Sequence, residues 1–405
     1  MFDSSGDREK AVVEKLFMMK RGYIIPAALL SALFFMAASI MAQTPAVQER
    51  ISVSATDCST PRVTGNDRGD IFAVWSGKLG ERSRIFFRER KGEMWGPEIV
   101  IDQSEWGNNT DPVMAVDGQG NPCVVWAFSD PELTAVYYTL RINGEWLPPL
   151  ALRESREKNC EFPDIAVEME TNRVYISWQE GRGSSYAVFC ATQNDEGGFV
   201  PEKLSSPDDT GYNLYPRVFL APTPFVTWYG VGESDFILHA SLWNIQSEKW
   251  MRYDPAGFER LPTNRFPSIL SDPGGNLSAV WYDSDGSTDR IYFARQGEPG
   301  YGRGGIVDGN PERMNSLPTG AIGPDGEVFL CWRGESIFGG QIFLAEGAMM
   351  SNPGFEESRL VSDGQKLFYT QPDCALLPDG DLAMIWSSSA MDGGDGAVYF
   401  RICRP

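Results

Sequence analysis

Short apolar strands that each end in tryptophan recur along most of the chain. The tryptophans are spaced by 50 to 54 residues: Trp75, Trp126, Trp178, Trp228, Trp281, Trp332 and Trp386. Each is preceded by a proline that opens another short strand: Pro61, Pro112, Pro163, Pro216, Pro267, Pro318 and Pro372. Most of the segments between them are rich in Gly, Asn and Asp, as in residues 117–121 and 272–276, which predicts tight hairpins.

A third strand, rich in aromatic and β-branched residues, follows each Trp after a polar loop. Examples are residues 85–87, 136–138 and 291–293, and weaker fourth strands follow at 98–101 and 359–361. Seven such units predict an all-β fold, a seven-bladed β-propeller of four-stranded antiparallel blades. The repeats start near residues 60, 111, 162, 215, 266, 317 and 371. The alternatives, a solenoid or two β-sandwiches, are disfavoured by the equal spacing with one Trp per unit.

The last unit ends after its third strand, whereas a strand-like segment at residues 50–54 precedes the first proline. We therefore expect this N-terminal segment to be the outer strand of the seventh blade. Such a strand closes the ring and covers an edge that would otherwise expose unpaired backbone groups.

The N-terminal region has the order of a secretory signal. Lys20 and Arg21 precede an apolar run from residue 23 to 42, and Ala42 stands at a small-residue cleavage position. We interpret residues 1–42 as a signal peptide, with residues 1–17 as a mis-called start, and 43–405 as a single propeller domain. The alternative is an uncleaved anchor, since the run approaches the length of a membrane span. Cleavage predicts an exported protein, periplasmic, cell-surface or secreted, with no membrane insertion, and the signal is of a bacterial type.

Charge and composition narrow the partners. The net charge of −20 disfavours nucleic acid, because an acidic surface repels phosphate backbones. The single histidine, His239, excludes a histidine-dependent triad or a multi-histidine metal site. The seven cysteines lack metal-type spacing, and their pairing stays open. We expect a monomer without a cofactor, with calcium left open at the acidic loops 283–286 and 392–395.

The repeats resemble the sialidase-like propellers with bacterial neuraminidase repeats. Those proteins carry an Asp-box, Ser-x-Asp-x-Gly-x-Thr-Trp, in the turn between the third and fourth strands. The matching turns at residues 90–95 and 142–146 keep the Gly and the Trp and lose the Asp. The resemblance implies three arginines around a substrate carboxylate, an Asp acid and a Tyr–Glu pair. The first arginine usually belongs to an Arg-Ile-Pro segment, where this chain reads Thr60-Pro61-Arg62-Val63.

The strand order predicts a polar channel mouth. The residue after each opening proline is expected there, and six of these seven residues are polar: Arg62, Val113, Asp164, Arg217, Ser268, Thr319 and Asp373. Neighbouring loops add acidic, basic and aromatic groups, a mixture that suits a glycan. The candidate ligand-binding residues are Arg62, Asp111, Asp164, Arg217, Arg265, Asp283, Tyr369 and Asp373.

Two functions fit this pattern. The first is an exported recognition or scaffold protein that binds a glycan or an extracellular protein. Its binding face carries the loops before each first strand and after each second strand. The second is a sialidase-like exo-glycoside hydrolase, with Arg62, Arg217 and Arg265 as carboxylate clamps and Asp111 or Asp164 as the acid. We favour the first and assign no catalytic residue, because fold alone does not decide activity.

Overall fold

The computed structural model describes residues 47–206, 211–220, 222–231, 236–253, 267–284, 288–296, 305–308, 310, 312–336, 339–348, 354–363, 367–390 and 396–404. The predicted signal peptide, Arg265 and the acidic loop 392–395 lie outside these residues. Regular structure in the described part is β-strand. That part of the chain contains no helix of the length and apolarity needed to cross a membrane.

The described strands form seven antiparallel sheets. Strand β1 (Glu49–Arg50) precedes the first sheet. Blade 1 contains β2 (Thr56–Gly65), β3 (Ile71–Leu79), β4 (Arg82–Lys91), β5 (Met94–Trp95) and β6 (Ile99–Val100). Blade 2 contains β7 (Asn108–Val116), β8 (Pro122–Ser129), β9 (Thr134–Ile142), β10 (Glu145–Trp146) and β11 (Leu150–Ser155). Blade 3 contains β12 (Asn159–Val167), β13 (Val174–Arg182), β14 (Ser185–Gln193) and β15 (Phe199–Lys203).

The remaining four blades repeat the same order. Blade 4 contains β16 (Asn213–Phe219), β17 (Phe225–Val231), β18 (Phe236–Asn244) and β19 (Lys249–Tyr253). Blade 5 contains β20 (Ser268–Ser271), β21 (Leu277–Ser284), β22 (Asp289–Arg295) and β23 (Gly305–Asp308). Blade 6 contains β24 (Met314–Ile322), β25 (Glu327–Ser336), β26 (Gly339–Ala348) and β27 (Arg359–Leu360). Blade 7 contains β28 (Leu367–Leu376), β29 (Leu382–Ala390) and β30 (Ala397–Cys403), with β1 as its outer strand.

The first strands of the blades surround a central channel. Strand β2 contacts β7 on one side and β28 on the other, and β12 contacts both β7 and β16. Strands β20, β24 and β28 continue the ring. Between blades 4 and 5, the hydroxyl of Tyr229 donates to the carbonyl oxygen of Pro267 at 2.9 Å. The predicted seven-bladed propeller is confirmed.

The N-terminal segment closes the ring as predicted, with a shorter strand than expected. Glu49–Arg50 pairs antiparallel with the third strand of blade 7. The Ile51 N–H then donates to the carbonyl of Val398 at 2.8 Å, and the Val398 N–H returns a bond to Ser52 Oγ at 3.0 Å. The side chain of Ile51 is fully buried in the core between blades 7 and 1. The closure therefore combines backbone pairing with an apolar anchor.

The seven repeat tryptophans are buried inside the blades. Several stack on a third-strand aromatic ring, such as Trp75 on Phe86 with centroids 6.0 Å apart. Three donate the indole N–H to an asparagine that stands three residues before the opening proline: Trp126 to Asn109, Trp228 to Asn213 and Trp332 to Asn315, at 2.8 to 3.0 Å. The indole nitrogens of blades 1, 3 and 7 find no acceptor among the described residues, and there the equivalent position holds Cys58, Cys160 or Tyr369.

The degenerate Asp-box turns lie between the third and outer strands, as the resemblance implies. Gly92 and Gly144 adopt φ angles of 58° and 87°, in the left-handed region that glycine tolerates best. The tryptophan of each turn packs edge-on against the third strand of the preceding blade. Trp146 meets Phe87 at 4.9 Å, and Trp95 meets Phe400 at 5.0 Å. The retained Gly and Trp thus serve blade-to-blade packing.

Candidate functional site at the channel mouth

A repeated backbone bulge shapes the channel end of six first strands. The residue before the opening proline has a φ angle of 46° to 52° in each case: Thr60, Asp111, Phe162, Tyr215, Leu317 and Gln371. The register of each strand shifts by one residue at this point. A residue before proline is normally extended, so each bulge costs on the order of 1–3 kcal/mol, which the surrounding blade must offset. Because the bulge recurs in six blades, we interpret it as a structural feature of the repeat.

The bulge sets which side chains face the channel. In the described blades the opening proline is buried, whereas the residues on either side of it are mostly half-exposed. At two of the bulges, a side-chain amide of the preceding blade accepts a hydrogen bond from the N–H of the residue before the proline. Gln371 Oε1 accepts from the Thr60 N–H at 2.8 Å, and Gln179 Oε1 accepts from the Tyr215 N–H at 2.9 Å. Hydrogen bonds between neighbouring blades therefore hold side chains in place at the channel mouth.

Two equivalent Asp–Arg pairs join neighbouring blades in the channel. Asp373 of blade 7 lies 3.8 Å from Arg62 of blade 1 and accepts the Val63 N–H at 3.0 Å. Asp164 of blade 3 lies 3.2 Å from Arg217 of blade 4 and accepts the N–H of residue 218 at 2.7 Å. Both aspartates and both arginines follow an opening proline directly. The repeat geometry thus brings together four of the predicted site residues.

These charges act on one another across the ring. Burial raises the pKa of the Asp373 carboxyl, while Arg62, the Val63 N–H and Arg217 oppose the shift. Burial also raises the pKa of Asp111, opposed by a hydrogen bond to Thr110 and by the charge of Arg62. Asp373 of blade 7 and Arg217 of blade 4 are not on adjacent blades, so this interaction between their charges crosses the channel.

An aromatic pair lies beside these charges. The rings of Phe162 and Tyr215 meet at 4.6 Å with their planes tilted by 59°, and both side chains are half-buried. Burial raises the pKa of the Tyr215 hydroxyl, and the nearby negative charges of Glu161 and Asp111 add to the shift. We call the following residues the mouth cluster: Arg62, Asp111, Glu161, Phe162, Asp164, Tyr215, Arg217 and Asp373.

The structure does not show the other predicted site residues in the mouth cluster. Tyr369 has no exposed surface; its ring packs against Trp386 and Tyr399, and its hydroxyl accepts a bond from Gln48 at 2.9 Å. It takes the core position that asparagine holds in blades 2, 4 and 6. Asp283, at the end of a blade 5 strand, accepts the N–H of the next residue at 2.8 Å. Arg265 lies outside the described residues.

Sequence reasoning missed part of this site. Phe162 has no role in the sequence prediction, and Glu161 and Tyr215 belong only to the acidic and aromatic groups that neighbouring loops are expected to add. A usable signal exists, because three residues of the mouth cluster, Asp111, Phe162 and Tyr215, stand directly before an opening proline. Glu180, another acidic neighbour, is buried and is held by Arg153 at 2.7 Å, which makes it a structural ion pair.

The described residues contain no group of three or more His, Cys, Asp or Glu side chains arranged to hold a metal ion. Residues 285–287 and 391–395, which contribute to the two acidic loops considered for calcium, lie outside that part of the chain. His239 is buried in a third strand, with its ring 5.8 Å from that of Trp228, as expected for a packing residue.

Comparison with known proteins identifies the fold and leaves the function open. No family model and no curated protein matches the chain. A protein of unknown function from Dyadobacter fermentans DSM 18053 is similar in structure, with 10% identity, a TM-score of 0.52, and coverage of 88% of this chain and 98% of that chain. NanB, the sialidase of Streptococcus pneumoniae, has 10% identity and a TM-score of 0.50 in a complex with Optactamide, with coverage of 91% and 72%. An α-L-arabinanase from Penicillium chrysogenum has 12% identity and a TM-score of 0.48, with coverage of 87% and 94%. The predicted propeller is confirmed at the level of the fold.

Proposed function

We propose that the protein is an exported recognition propeller that binds a glycan at the mouth cluster. The observation that carries this proposal is the pair Phe162 and Tyr215, half-exposed at the channel beside Asp111 and Glu161. Aromatic rings cover the apolar face of a sugar, and carboxylates accept bonds from its hydroxyls. The signal-like N-terminal sequence supports export, where extracellular glycans are available.

The arginines favour recognition over a sialidase reaction. Arg62 and Arg217 are each paired with a carboxylate of the chain itself. A sialidase clamp needs arginines that can turn to a substrate carboxylate, and both of these already have partners. The neighbouring aspartates also hold backbone N–H groups, so they are anchored in place.

A hydrolase is the second candidate, because one observation favours it. Burial raises the pKa of the Asp111 carboxyl, which is the direction of shift that a general acid needs. Glycoside hydrolysis also needs a second carboxylate or a tyrosine nucleophile at a suitable distance. Glu161 and Tyr215 are the nearby groups of those types.

Glycan binding to the purified protein tests the first proposal. Tyr215→Ala and Phe162→Ala should each weaken binding about tenfold or more, equivalent to about 1.4 kcal/mol. Tyr253→Ala is the matched control, since it removes the same ring from the outer strand of the same blade. Equal binding by all three variants and the wild type would place the ligand elsewhere.

Hydrolysis of a fluorogenic sialoside and a panel of other aryl glycosides tests the second proposal. Turnover that is lost in Arg62→Ala and Asp111→Asn would establish an enzyme with its site at the channel mouth. Absence of turnover from folded protein that binds glycans would leave recognition as the function.

A further inference from the structure

The charge balance of the mouth cluster bears on which glycans can bind there. Its two arginines are accompanied by four acidic side chains, Asp111, Glu161, Asp164 and Asp373. The whole chain carries a net charge of −20. A ligand that brings its own negative charge therefore meets repulsion both at long range and at the site.

The arginine partners are difficult for a ligand to displace. Asp164 accepts the backbone N–H of residue 218 at 2.7 Å while it lies 3.2 Å from Arg217, and its side chain is only 7% exposed. Asp373 makes the corresponding bond to the Val63 N–H at 3.0 Å beside Arg62. A ligand carboxylate would compete for each guanidinium with an aspartate that also satisfies a neighbouring blade. Burying an extra anion without a free cationic partner is costly.

We propose that the mouth cluster selects glycans without carboxylate or sulfate groups and excludes acidic glycans. This inference rests on the proposed function, since it assumes that a glycan binds at the mouth. Asp164 and Asp373 are the specificity-determining residues, because they neutralise the two arginines that an acidic sugar would otherwise use. The half-exposed aromatic pair, Phe162 and Tyr215, then supplies contact area for an uncharged sugar.

Matched neutral and acidic ligands test the proposal by calorimetry or on an array. Lactose is compared with sialyllactose, and galactan with polygalacturonate, beside neutral xylan, arabinan, glucan, mannan and chitin oligosaccharides. The wild type should bind its preferred neutral ligand at least about tenfold more tightly than the acidic counterpart. Raising the salt concentration should reduce that preference, because salt screens the repulsion.

Substitution of the paired aspartate is the sharper measurement. Asp164→Asn keeps an acceptor for the neighbouring N–H and releases the charge of Arg217. The ratio of acidic to neutral affinity should rise about tenfold. Asp195→Asn, which removes the same charge from an exposed turn of blade 3, should leave that ratio unchanged. Asp373→Asn serves as the second variant if the first does not fold.

The outcomes separate the two claims. Wild-type protein that binds an acidic glycan as tightly as its neutral counterpart would overturn the selectivity while glycan binding stands. An unchanged ratio in folded Asp164→Asn and Asp373→Asn would remove the assigned role of these aspartates. Absence of binding to every ligand would overturn glycan recognition and the inference together.

Discussion

The hydrogen bond between Asn109 and Trp126 makes blade 2 a test of how the repeats are stabilised. Both side chains are 1% exposed, and Asn109 Oδ1 accepts the indole N–H at 2.8 Å. The Nδ2 group of Asn109 makes no other bond among the described residues. Asn109→Leu, close to isosteric, therefore removes a single side-chain bond and leaves the buried indole N–H without an acceptor.

The expected cost combines two terms. Leaving the buried Trp126 indole N–H without an acceptor costs about 1–3 kcal/mol. Removing the unpaired Nδ2 group of Asn109 offsets part of that cost. We expect Asn109→Leu to lower the free energy of unfolding by about 1 kcal/mol in urea unfolding followed by tryptophan fluorescence. In a double-mutant cycle with Trp126→Phe, the interaction energy should also be about 1 kcal/mol.

Blade 1 provides the matched control, because the indole nitrogen of Trp75 has no acceptor among the described residues. Trp75→Phe removes a buried N–H that has no acceptor, whereas Trp126→Phe breaks a hydrogen bond and leaves Asn109 Oδ1 without a donor. The second substitution should therefore cost more than the first. Equal costs for the two, together with a cycle energy near zero, would refute the view that asparagine satisfies the tryptophan.

Three further predictions concern closure, charge and the thiols. Ile51→Ala should lower the free energy of unfolding by about 2–5 kcal/mol in urea, because it empties a closed apolar site, and exposed Val53→Ala should change little. Since the folded pKa of Asp373 is raised, its ionisation disfavours the native state. The wild type should lose stability relative to Asp373→Asn as pH rises from about 4 through the folded pKa, and a pH-independent difference would contradict this. Burial raises the pKa of Cys58 to about 12 and of Cys160 to about 11, so a thiol reagent at pH 8 should label the native protein slowly and more quickly as pH rises. All seven thiols should react after unfolding, and a lower count would reveal a disulfide.

Much of the fold could be read from local sequence signals. Short apolar strands, glycine-rich hairpins and one Trp per repeat are short-range features, and their spacing alone predicts the blade number. The closing strand was also predictable. The pair Ile51–Ser52 matches Val361–Ser362 at the end of blade 6, where Ser362 Oγ likewise accepts a third-strand N–H at 3.0 Å.

The candidate site was predictable only in part. The position after each opening proline predicts Arg62, Asp164, Arg217 and Asp373, which form the two Asp–Arg pairs between neighbouring blades. Tyr369 is also predicted near the mouth, yet it stands three residues before a proline, where the alternation of the strand turns it into the core. The bulge before proline is equally hidden, because a left-handed residue at that place goes against local backbone preference.

The sequence by itself determined the repeat, the strand order and the closure, since these depend on neighbouring residues and turn chemistry. The tertiary structure alone decided which charges meet. Asp373 and Val63 are 310 positions apart in the chain, and Asp164 and residue 218 are separated by 54. Their contacts form because the ring brings the first strands of adjacent blades together and because each bulge sets which side chains of its strand face the channel. The partners of the arginines, and with them the ligand selectivity proposed here, follow from that geometry.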